Sequence, residues 1–128
     1  MNISFNQQDI LQQLENLDEA GLNELDFGVI GIDQDTLVCR YNTFESKAAS
    51  LEPGKALGHP FFTSVAQCMN NFLVAQRFED ALENGTPLDM TIDYVLTWRM
   101  RPTKVLLRLL AAAEYQTRYI LVHRLSCD

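Results

Sequence analysis

LDMTIDYVLTWRMRPTKVLLRLLAA, residues 88–112, carries two strand patterns back to back. From Leu88 to Met100 the side chains alternate. Leu88, Met90, Ile92, Tyr94, Leu96, Trp98 and Met100 point one way, and Asp89, Thr91, Asp93, Thr97 and Arg99 the other, which is the period of a half-buried strand. Pro102 separates this strand from Thr103–Ala112, and Gln116–Leu125 reads as the last strand. These two later strands are apolar on both faces, with Val105, Leu107 and Leu109 opposed to Leu106 and Leu110. A sheet apolar on both sides must be covered on both.

Two covers can be read upstream. Residues 6–25 suit one or two short amphipathic helices, with Ile10, Leu11, Leu14 and Leu17 at helical spacing and Asp18 placed to cap a second piece. Phe27–Asp33 and Leu37–Asn42 read as two short strands around a polar turn. Thr43–Ser50 suits a short helix ended by a turn at Pro53–Gly54, and 58–65 is expected to be irregular, with Phe61 and Phe62 as buried anchors. Asn70 or Asn71 is expected to cap a longer helix with Phe72, Ala75, Phe78 and Leu82 on one face and Gly85 as its stop. The order predicts an α+β domain. Its five-stranded antiparallel sheet would carry short helices on one face and an N-terminal helical cap on the other. A single domain over 1–128 is expected, with the cap at 1–25 and the core at 26–128.

At 128 residues, 47% apolar and 21% charged, the chain has the composition of one globular domain. A net charge of −7 with no basic stripe argues against nucleic acid or an anionic membrane as partner. No apolar run approaches the roughly 20 residues of a membrane span, and the N-terminus lacks the pattern of a signal peptide. The three cysteines, Cys39, Cys68 and Cys127, are odd in number and suit neither a zinc site nor a disulfide framework. A reducing cytoplasm is the expected setting.

YNTFESKAASLEPGKALGHPFFTSVAQCM, residues 41–69, holds the chemistry. Cys68 stands just before the expected helix start, where the helix dipole favours a thiolate. A small buried hydrophobe is the alternative reading of this residue. Tyr41 ends a strand and Glu45 lies on the next helical turn, so both can enter one pocket and share hydrogen bonds around one buried oxygen. Burial there would keep Glu45 protonated as a donor. On these residues alone a solvated Glu45 beside a core-edge Tyr41 is the favoured reading, because glutamate is rarely buried.

Four segments now carry a resemblance: LDFGVIGID at 25–33, RYNTFE at 40–45, GHPFFTSVAQC at 58–68 and WRMRPTKV at 98–105. Through them the chain resembles the photoactive yellow protein family of the PAS superfamily, blue-light receptors, over essentially its whole length. The resemblance implies p-coumaric acid bound as a thioester on Cys68, its phenolate oxygen held by Tyr41 and a protonated Glu45. It also implies a pocket completed by Ala49, Leu51, Phe61, Phe62, Gln67, Leu96, Trp98, Arg99 and Met100, with Met100 assisting dark recovery. Phe5 becomes a candidate anchor of the cap on the outer sheet face. Light-driven isomerisation would let Glu45 hand over its proton. The buried carboxylate left behind, without a counter-charge, would release the cap.

Four positions depart from the family pattern. Ala49 replaces a threonine that supports the tyrosine, Leu51 an arginine that covers the pocket, Trp98 another aromatic, and Gln67 a proline; Arg99 or Arg101 is expected to replace the missing cation in part. A receptor that is not an enzyme is thus the first expectation, acting on a downstream signalling protein as a monomer or weak dimer. A chromophore-free PAS interaction module is the alternative. A thiol enzyme ranks last, since neither histidine is placed as a base for Cys68.

Overall fold

The computed structural model describes residues 3–98 and 101–124, the side chains of 97, 98 and 101 excepted. Its strands are β1 (Gly28–Ile32), β2 (Val38–Tyr41), β3 (Leu88–Trp98), β4 (Arg101–Ala111) and β5 (Arg118–Arg124). They form one sheet in the order β2-β1-β5-β4-β3, antiparallel at every pairing. Pro102 is the second residue of β4 rather than preceding it, opposite Thr97. A proline at the start of a strand costs the ladder little.

The two-faced pattern of β4 and β5 is realised as two cores. Inside, Val105, Leu107, Leu109, Ile120 and Val122 pack with Phe61, Phe62, Val74 and Phe78. Outside, Leu110, Tyr119 and Leu121 pack with Ile3, Phe5, Ile10, Leu14 and Leu22 of the N-terminal segment. Phe5 is buried there, edge-on to Phe27 at 5.8 Å and tilted against His123 at 5.3 Å. It is the anchor the resemblance implied.

The cap is two short helices, α1 (Ile10–Asn16) and α2 (Glu19–Asn23), and Asp18 accepts from the Gly21 amide at 2.8 Å, capping α2. Two arginines of the sheet grip it. Arg40 donates to the Leu14 carbonyl at 2.7 Å, to the Leu17 carbonyl, and to the Tyr119 hydroxyl, which itself donates to Glu15. Arg108, buried, donates to the Phe5 and Gln7 carbonyls at 2.8 Å each while its other nitrogens hold Asp89. Hydrogen bonds from a charged donor are about twice as strong as neutral ones. They also give buried carbonyls the partners they need.

The inner cover differs from expectation in three places. α3 (Thr43–Ala49) is as read, but Pro53 starts a short helix, α4 (Pro53–Ala56), instead of ending one. At N1 the missing proline N–H is an unbonded position anyway. A single π-helical turn at Phe61–Val65 and a 3₁₀ turn at Gln67–Met69 follow. The longer helix, α5 (Ala75–Asn84), begins four residues later than Asn71. Asn71 instead closes a turn, accepting from the Leu73 and Val74 amides at 3.0 and 3.1 Å. The helix buries Phe78 and Ala81 and leaves Leu82 exposed, and Phe72 is exposed ahead of its start.

Candidate functional site

Asn42 sets the geometry of the site. It is fully buried and caps α3, its Oδ1 accepting from the Glu45 amide at 3.1 Å and from the Val29 amide at 3.0 Å. Its Nδ2 donates to the Leu22 and Phe27 carbonyls, each at 3.0 Å. One side chain therefore ties α2, β1 and the first turn of α3, and so fixes where Glu45 projects. Tyr41, the last residue of β2, lies just before it.

Tyr41, Glu45 and Cys68 line one cavity of about 450 Å³ between α3, the turns at 61–69 and the inner sheet face. That volume lies in the range of small-molecule sites. Ala49, Leu51, Phe61 and Leu96 line it as expected. Phe62 does not. It is buried in the inner core, edge-on to Phe61 and beside Phe78. Gln67 is exposed, its amide donating to the Thr63 carbonyl at 2.7 Å. Arg99 and Met100 lie outside the described residues, as do the side chains of Trp98 and Arg101.

Cys68 is a free, half-buried thiol on the 3₁₀ turn. Its carbonyl accepts from Tyr94 and from Asn71, the latter at 3.1 Å, which pins the backbone of the turn. The expected helix dipole does not reach it, because α5 starts seven residues on and the effect fades within a turn.

Arg124 is the residue the sequence reading missed. It ends β5 and forms a two-pronged ion pair with Glu45, Nη1 to Oε1 at 2.8 Å and Nη2 to Oε2 at 3.1 Å. This is the arrangement of a guanidinium on a carboxylate. It corrects the expectation of a Glu45 carboxylate without counter-charge. Among the described residues Arg124 is the cation that lines the cavity, the place expected for Arg99 or Arg101. The available signal was the strand period, since Ile120, Val122 and Arg124 share the inner face.

The Tyr41 hydroxyl is buried and has no hydrogen-bond partner among the described residues. Burial pushes its phenol well above the usual tyrosine range, the Glu45 carboxylate adds to this, and Arg124 opposes it. Tyr119 is raised too, by burial and by its bond to Glu15, against Arg40. A raised phenol keeps its full contribution below the unfolded-state value of about 10 and loses it as pH climbs beyond. Stability should therefore fall from about pH 10 upward, and Tyr41→Phe should flatten that fall. At neutral pH the same substitution should cost nothing or add up to about 1 kcal/mol, because it removes an unsatisfied buried hydroxyl. Urea midpoints measured across this pH range check both statements.

No family model matches the chain. It is 34% identical over 126 residues to the photoactive yellow protein of Halochromatium salexigens, covering 98% of this chain and 100% of that one. With the Rhodothalassium salexigens protein of the same name it shares 30% over 122 residues, 95% of this chain and 97% of the other. The crystal structure of the photoactive yellow protein domain from the sensor histidine kinase Ppr of Rhodospirillum centenum superposes with a TM-score of 0.80 at 30% identity, over 88% of this chain and 97% of that one.

Proposed function

The chain belongs to the photoactive yellow protein family, and from that premise we propose a blue-light receptor that carries p-coumaric acid as a thioester on Cys68. The observation that carries this reading is the buried Tyr41 hydroxyl, without a hydrogen-bond partner among the described residues, on a cavity that also holds a free thiol. Such a hydroxyl is costly unless something accepts its hydrogen. A phenolic oxygen is an acceptor of the right kind.

When bound, the group supplies a double bond that light isomerises and a phenol that titrates. Cys68 makes the linkage: its Sγ attacks an activated acyl carbon, the activating group leaves with the bonding pair, and the thiol proton goes to solvent. Tyr41 would donate its hydroxyl hydrogen to the phenolic oxygen. A protonated Glu45 would be placed to donate a second hydrogen bond there, and would be the acid able to give up its proton once the ligand isomerises. Phe61, Leu51 and Leu96 give the cavity apolar walls, and low polarity there would strengthen both bonds.

Two routes lead from the cavity to the cap. Asn42 bonds both the Glu45 amide and the Leu22 carbonyl of α2. β5 carries Arg124 inside and His123 outside, against Phe5. Loosening of the cap is the proposed output, passed to a signalling protein; the related Ppr domain belongs to a sensor histidine kinase. No catalysis is assigned, and a cytoplasmic setting is part of the proposal; among the described residues no helix is long and apolar enough to cross a membrane.

The test is an absorption spectrum after mixing the protein with activated p-coumaric acid, beside Cys68→Ala. A yellow band confined to wild type, bleached by blue light and restored in darkness, is expected. No band, or an equal band in the variant, leaves a PAS module that only binds a partner.

A further inference from the structure

We propose that Arg124 is the counter-ion Glu45 takes when its carboxyl ionises, and that exchange of Glu45 between Arg124 and the ligand's phenolic oxygen sets the lifetime of the lit state; this rests on the receptor reading above.

The two partners exclude each other chemically. A carboxylate whose two oxygens both accept from a guanidinium has no hydrogen to donate. A glutamic acid that donates its hydrogen to a phenolic oxygen has lost the charge and symmetry that the two-pronged pair needs. Glu45 therefore has two states with two partners, and both partners belong to the same cavity. Proton transfer from Glu45 converts one state into the other.

The pair is built by the fold and does not rest on chain proximity. The residues are 79 apart in sequence. Glu45 is held by the Asn42 cap, and Arg124 by the register that sets it opposite Val105. Only 6% of the Glu45 side chain and 20% of the Arg124 side chain are exposed. Water screens such a pair far less than one at the surface. Leu51 and Ala49 bring neither charge nor a side-chain hydrogen-bonding group to the cavity wall. An ionised Glu45 left unpaired there would take its proton back quickly. Paired with Arg124 it is stabilised, and the return slows.

The test uses Arg124→Gln and Arg124→Lys in the full chain, with and without the pigment. In the pigment-free protein, infrared spectra should show no protonated-carboxyl band from Glu45 in wild type at neutral pH, assigned against Glu45→Gln. Such a band should appear in Arg124→Gln, since an unpaired buried carboxyl neutralises itself. In the pigmented protein, dark recovery after a blue flash should be faster by about tenfold or more in Arg124→Gln. It should be intermediate in Arg124→Lys, which keeps the charge and loses the fork. Unchanged recovery in both variants, or no infrared change in Arg124→Gln, would overturn the proposal. No pigment uptake by wild type, with the infrared band still appearing in pigment-free Arg124→Gln, would overturn the receptor reading, and with it the switching role, leaving the ion pair as a structural one.

Discussion

Asn42→Ala is expected to lower the unfolding free energy by about 3–5 kcal/mol, a large share of the 5–15 kcal/mol typical of a domain. The substitution leaves three backbone groups without their partner, the Val29 and Glu45 amides and the Phe27 carbonyl, and strips a bond from the Leu22 carbonyl, which keeps the Leu25 amide at 3.2 Å. The site is fully buried, so each orphaned group carries a desolvation cost of about 1–3 kcal/mol unless water enters. Relaxation recovers part of that sum, hence the lower total. Asn42→Ser should cost less, because a serine hydroxyl can still cap α3 but is too short to hold the two carbonyls. Denaturant titration of the three proteins checks the order. A loss below about 1 kcal/mol in the alanine variant would mean that water substitutes for the amide.

What the sequence revealed and what it hid follow the range of the interactions. Strand alternation at 88–98 and the double-apolar character of β4 and β5 are local signals, and they placed the sheet and both its covers correctly. Tyr41, Glu45 and Cys68 were picked out by residue type and then by resemblance, and the structure brings them to one cavity. Asn71 misled because the same side chain closes a turn or caps a helix with one kind of bond. Pro53 misled because proline both stops helices and starts them. Phe62 and Gln67 flank cavity residues in sequence, but one turns into the core and the other into solvent. Arg124 was hidden for a deeper reason. Its alternation shows a face, yet whether that face meets a carboxylate depends on pairing register and on a helix 79 residues away.

Gly28→Ala should be the sharper probe of the site, at a cost of about 2–4 kcal/mol. Gly28 is an ordinary strand position, bonded across to β5 opposite Val122, and its need for glycine is one of space. A Cβ there would fall 2.0 Å from Glu45 Oε1 and 3.2 Å from Glu45 Cβ. The carboxyl would have to leave, and it cannot do so without breaking the pair to Arg124. β1 cannot retreat instead, because it is paired with β2 on one side and β5 on the other. The prediction is therefore one of coupling. In a Glu45→Ala background the clashing atom is gone and only the Cβ contact remains, so Gly28→Ala should then cost less than about 1 kcal/mol. A double-mutant cycle by urea unfolding measures the difference. Equal costs in the two backgrounds would place the strain in β1 itself, whereas a large coupling would mean that the missing side chain at position 28 is what lets a buried carboxylate lie against the sheet within reach of Arg124.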